Sequence, residues 1–66
     1  MTDEQLAEVI RDAIEKHGAP QVARQLGLSV EATCRLGGSL PTQAGTRDRA
    51  RMNLARLAKL DGPRAA

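Results

Sequence analysis

Apolar and polar positions alternate at helical spacing from the start of the chain. Leu6, Val9, Ile10, Ala13 and Ile14 recur at i, i+3, i+4, i+7 and i+8, while Glu4, Glu8, Arg11, Asp12 and Glu15 fill the other faces. This predicts an amphipathic helix of about four turns. Thr2 and Gln5 stand at capping-box spacing, and Asp3 and Glu4 place negative charge at the positive end of the helix dipole. Lys16, His17 and Gly18 form a C-terminal stop. His17, the single histidine, is expected to interact with that helix end.

A second short helix is expected over Pro20–Leu26, since proline's fixed φ suits a first helical position. No Ser, Thr, Asp or Asn caps it, so its first amides are open to water or to an external anion such as a phosphate, with Gln21 beside them. Gly27-Leu28 reads as a tight turn, and Ser29 as the N-cap of a third helix over Val30–Leu36 with Glu31 in its first turn. Ala23, four positions before Gly27, is small enough for two helices to cross closely, and Gly27 tolerates a left-handed turn. Val22, Leu26, Leu28 and Leu36 supply apolar contacts, and Arg24, Gln25, Glu31 and Arg35 fall outward.

Gly37, Gly38 and Ser39 end the third helix, Leu40 is expected to turn back into the core, and 41–45 (P-T-Q-A-G) is a polar loop. Thr46 is expected to cap a last helix from Arg47 to about Leu60, with Ala50, Leu54, Leu57 and Ala58 as its apolar face. Arg49, Met52, Arg56 and Lys59 lie largely opposite. Arg47 and Arg49 in the first turn of such a helix would oppose the dipole, a cost easier to understand if they face phosphates, the alternative being a solvated basic face. Asp61-Gly62-Pro63 stops the helix, leaving residues 62–66 as a tail.

The run V-A-x-x-L-G-L-S-x-x-A-x-x-R-L, carried by Val22, Ala23, Leu26, Gly27, Leu28, Ser29, Ala32, Arg35 and Leu36, resembles the helix-turn-helix of phage-repressor-like (lambda-repressor-like) DNA-binding domains. Thr33 stands where such motifs usually carry Val, Ile or Leu, which predicts a weaker seat for the second helix of the motif. The resemblance implies an all-α, four-helix domain over residues 1–61, with the motif at 20–36. It makes the third helix the recognition helix and Val30, Glu31, Cys34 and Arg35 the base-reading candidates. Arg35 can fork onto guanine, Glu31 can accept from the cytosine amino group, and Val30 and Cys34 are compact enough for a thymine methyl. Equally, Val30 and Cys34 can be half-buried packing residues and Glu31 no more than a capping acid. The loop before the last helix would follow the DNA backbone, making Thr42 and Gln43 phosphate candidates beside Gln21, Ser29, Thr46, Arg47 and Arg49.

Composition narrows the field. At 66 residues there is room for one domain, which buries only about 60% of its unfolded surface. With no Phe, Trp or Tyr the core must come from aliphatic side chains on helices. One cysteine, Cys34, excludes an internal disulfide and lacks neighbours at zinc-ligand spacing. The acidic M-T-D-E-Q start and the absence of a long apolar run point to a soluble, cytoplasmic protein. Net charge is only +2, but acids dominate before Gly18 and arginines after it, which suggests a basic face for a polyanion. One histidine, one cysteine and scattered carboxylates in so small a chain argue against an enzyme, and nothing points to a cofactor or small-molecule ligand.

The resemblance therefore implies a sequence-specific transcriptional regulator and, by analogy with small phage or bacterial domains that commonly act on their own operon, a repressor. One short recognition helix covers few base pairs, so double-stranded DNA would be bound as an inverted repeat by a homodimer, with Met52, Leu60 and the last helix as the dimer surface. The competing expectation is a helical protein-interaction module, antitoxin- or adaptor-like. Ser29, Glu31 and Arg35 interrupt the apolar surface that such a module would present on the third helix.

Overall fold

The computed structural model describes residues 1–61, so the predicted tail at 62–66 lies outside the described residues. Among them the chain is all helical: α1 (Asp3–His17), α2 (Ala19–Leu26), α3 (Val30–Gly37), α4 (Ala44–Asn53) and a 3-10 segment (Leu54–Asp61). No helix among these residues is long and apolar enough to cross a membrane.

The capping box forms as the spacing demands. The Gln5 amide donates to Thr2 Oγ1 at 3.1 Å, and the Thr2 amide donates to Gln5 Oε1 at 2.8 Å. Along α1 the buried residues are Leu6, Ala7, Ile10 and Ala13, with Ile14 partly buried, while Val9 is 38% exposed. The apolar stripe is thus rotated toward Ala7, a position whose small side chain lets the neighbouring helices approach. On the exposed side, the hydrogen bond from Lys16 to Asp12, reinforced by their opposite charges, raises the lysine's pKa.

Gly18 closes α1 and opens α2. Its amide donates to the Ile14 carbonyl at 2.8 Å and its own carbonyl accepts from Val22 at 3.2 Å. Its φ of 89° and ψ of 146° lie where a side chain is strongly disfavoured. The reversal after α2 is the predicted left-handed one, Gly27 at φ 73°, ψ 31°. There the Leu28 amide donates to Ala23 and the Gly27 amide to Arg24, a Schellman arrangement that satisfies the helix's last carbonyls. Leu28 then packs against the core of Leu6, Ile10, Ala13, Val22, Leu26, Leu36, Ala50 and Leu57. α2 sits at the middle of the molecule, packed against α1, α3, α4 and the 3-10 segment.

Several expectations are corrected. α3 continues through Gly37, which is buried because α1 crosses there: a Cβ at Gly37 would lie 3.2 Å from Ile14 Cδ1 and 3.5 Å from Arg11 Cα. The Gly37 carbonyl also accepts from Arg11 Nε at 2.9 Å, so this arginine ties α1 to the end of α3. Ser39 takes the left-handed position after α3 (φ 58°), and Leu40 is 55% exposed instead of entering the core.

The last helix begins at Ala44, not after Thr46. Gln43 occupies the cap position without a side-chain hydrogen bond, and its carbonyl accepts from Thr46 and Arg47 within the first turn. Arg49 therefore falls beyond the first turn while Arg47 stays at its end, so the dipole conflict expected of the pair is confined to Arg47. The helix also changes type at Leu54. Leu54, Leu57 and Leu60 are spaced by three residues; a 3-10 helix aligns that spacing on one face, whereas an α-helix spreads it. Leu57 is buried and Leu54 and Leu60 pack against the core, while Ala58, expected inward, is exposed. His17 Nε2 lies 3.0 Å from Asp61 Oδ1 and joins the far end of this segment to the end of α1.

Candidate nucleic-acid interface

α3 is anchored by one face and open on the other. Ser29 caps it, its Oγ accepting from the Ala32 amide at 3.1 Å. Thr33 is fully buried, and its hydroxyl donates to the Ser29 carbonyl at 2.9 Å, so the polar group set among apolar neighbours is satisfied within its own helix. Thr33, Leu36 and Gly37 form the buried side. The opposite side carries Val30, 45% exposed, with Glu31, Cys34 and Arg35, all exposed. Val30 and Cys34 are thus surface residues, not packing residues. Glu31 Oε2 and Arg35 Nε lie 3.5 Å apart, an exposed i, i+4 ion pair that holds both groups loosely.

An open cleft runs along this side of α3. It is lined by Ser29, Glu31, Ala32 and Arg35 from the helix, and by Pro41, Thr42, Gln43 and Thr46 from the connection to α4. Six candidates separated in sequence are thereby brought together: Ser29, Glu31, Arg35, Thr42, Gln43 and Thr46. Gln43 and Thr46 also border a neighbouring hollow with Leu28, Gly45 and Arg49. Thr42 Oγ1 is shielded from solvent and has no hydrogen-bond partner among the described residues. Cys34 faces the other flank, in a hollow with Arg11, Ile14, Gly37 and Gly38.

The arginines of α4 are partly engaged by the protein itself. Arg49 Nη1 reaches the Gly27 carbonyl in a long contact of 3.4 Å, and Asn53 Nδ2 donates to the Leu26 carbonyl at 2.8 Å. These side chains, one turn apart, cover the C-terminal end of α2, where a positive charge complements the dipole. Arg47 Nη1 lies 3.0 Å from Asp3 Oδ2, and Arg51 Nη2 meets Asp3 Oδ1. Arg47 is outside the cleft, in a hollow with Asp3, Leu36, Ser39, Leu40 and Pro41. Gln21 is exposed on the first turn of α2, which has no side-chain cap, and is likewise outside the cleft.

Arg51 was missed by sequence reasoning, although its i, i+4 spacing from Arg47 places the two on one face. The ties made by Arg11 and Asn53 carried no local signal, since each partner is a backbone carbonyl distant in sequence. No cluster of three or more His, Cys, Asp or Glu that could hold a metal occurs among the described residues. No family model, curated protein or solved structure matches this chain.

Proposed function

We propose that this chain is a sequence-specific DNA-binding regulator of the lambda-repressor-like kind, with α2, the Gly27 turn and α3 as its helix-turn-helix. The observation that carries the reading is the division of α3 into a seated face of Thr33, Leu36 and Gly37 and an outward row of Val30, Glu31, Cys34 and Arg35 bordered by a polar cleft. In this reading α3 enters the major groove. Arg35 forks onto guanine, Glu31 accepts from cytosine, and Val30 and Cys34 meet thymine methyls. Their ion pair is exposed, so exchanging it for base contacts costs little.

Ser29, Gln43 and Thr46 line the cleft wall beside α3 and supply hydroxyl and amide donors to the DNA backbone, and the shielded Thr42 hydroxyl joins them only by turning outward. Gln21 with the uncapped amides of α2, and the guanidiniums of Arg47 and Arg49, are the further phosphate contacts. A homodimer places two copies of α3 one DNA turn apart on an inverted repeat. Met52, 83% exposed on α4, is the leading residue for that dimer surface, while Leu60 is partly buried against the core. By analogy with small repressors the regulator represses transcription, its own operon first.

Selection from a random duplex library tests this. Enrichment of an inverted repeat with half-sites about 10 base pairs apart is expected; no enrichment over the starting pool would remove the sequence-specific reading. Protein sedimenting as a monomer both free and on the enriched duplex would remove the homodimer. The second reading, a helical protein-interaction module, draws on Leu40, which is 55% exposed beside a hollow lined by Leu6, Ala7 and Leu36. A Leu40→Asp variant that keeps full duplex selectivity would separate that surface from DNA binding.

A further inference from the structure

Asp3 receives one guanidinium on each carboxylate oxygen, Arg47 on Oδ2 and Arg51 on Oδ1. The arginines stand one turn apart on α4 and converge on a group with one negative charge shared by two oxygens. A phosphodiester presents the same features in its two non-bridging oxygens, and a pair of arginine forks suits it equally well. Stability does not account for the arrangement. The side chains of Arg47, Arg51 and Asp3 are 39%, 43% and 58% exposed, and ion pairs in that setting contribute little. The hollow holding Arg47 and Asp3 shares Pro41 with the cleft along α3, so the trio adjoins the interface described above.

We propose that Arg47 and Arg51 form a phosphodiester-binding site, and that Asp3 occupies it from within as a competing anion that restrains the chain's affinity for nucleic acid. The proposal rests on the DNA-binding reading and adds to it a site and its restraint. With Asp3 ionised, a phosphate must exchange one ion pair for another and accept a neighbouring like charge. With Asp3 neutral, both guanidiniums are uncompensated. The Asp3 side chain takes no part in the Thr2–Gln5 capping box, so Asp3→Asn keeps that box while removing one of the two acidic charges in the first turn of α1.

The test compares the full chain with Asp3→Asn, Glu8→Gln, Arg47→Gln/Arg51→Gln and the triple variant, each confirmed folded by circular dichroism. A duplex of unrelated sequence is titrated at several salt concentrations. Asp3→Asn is expected to bind roughly fivefold tighter at low salt, the scale of one unit charge about 4 Å away in water, and to steepen the salt dependence by about one unit. Glu8→Gln removes the same charge from α1 without touching the arginines and is expected to give a smaller gain. The triple variant is expected to show no gain over the arginine double variant. A change below about twofold for Asp3→Asn, an equal gain for Glu8→Gln, or a gain that survives loss of both arginines overturns the proposal.

A parallel NMR titration with inorganic pyrophosphate follows the Arg47 and Arg51 Nε–H signals. If no variant binds duplex at low salt, the DNA reading falls, and this titration decides the site alone. Saturation at lower pyrophosphate concentration in Asp3→Asn than in the parent supports the site, and equal saturation overturns it.

Discussion

Gly18 carries the ends of two helices on a single residue, and its φ of 89° with ψ of 146° belongs to a region that side chains avoid. A Cβ there would meet only Pro20 Cδ at 3.9 Å, so the requirement lies in the backbone and not in space. Gly18→Ala is therefore expected to lower stability by about 1–3 kcal/mol, measured by chemical denaturation, with the helices otherwise retained. Gly27 and Ser29 were legible in the sequence because each acts on its own turn. Gly37 was not: its small size is favoured by the close approach of Arg11 and Ile14 of another helix, and a search for local punctuation reads it as a helix end. Thr33 reads as a weak seat for α3, and the structure adds that its buried hydroxyl is satisfied by the Ser29 carbonyl one turn back. At Arg35 the prediction concerns recognition. Arg35→Ala is expected to lose roughly 1–3 kcal/mol on the specific duplex and much less on random DNA, read from paired affinity measurements. Equal losses on both would make Arg35 a backbone contact.

At the scale of elements, the change from α4 to the 3-10 segment is the largest departure from what the pattern predicted. Ala50, Leu54 and Ala58 satisfy an α-helical face, so periodicity alone favours one continuous helix. Leu54, Leu57 and Leu60 satisfy a period of three, and packing of all three against the core selects it. The two registers make opposite predictions for one double variant. Leu57→Ala alone is expected to cost about 2–5 kcal/mol as a cavity mutation, and adding Ala58→Leu is expected to restore none of it, because position 58 faces solvent. Recovery of the melting temperature in Leu57→Ala/Ala58→Leu would contradict the 3-10 register. The start of α4 was misplaced because Thr46 offers a capping side chain, yet the helix opens at Ala44 with Gln43 as a cap that makes no side-chain bond.

For the whole molecule, the sequence made the all-helical class legible, along with the acidic first helix, the arginine-bearing later part and the outward row of α3. How those charges meet was not legible. Asp3 reaches Arg47 and Arg51 across more than forty residues of chain, and Arg49 leans on the end of α2. The basic face is thus partly neutralised by the chain's own carboxylate, and its response to salt and to Asp3 becomes informative about binding. The cleft beside α3 likewise exists only once the connection to α4 folds alongside it. The central claim is that this surface reads DNA sequence. Its most direct measurement is fluorescence anisotropy of the full chain against a labelled fragment from upstream of its own gene and against a scrambled duplex, at several salt concentrations. The account predicts tight, salt-dependent binding with a clear preference for the upstream fragment. Absence of binding to either duplex at low salt would contradict it.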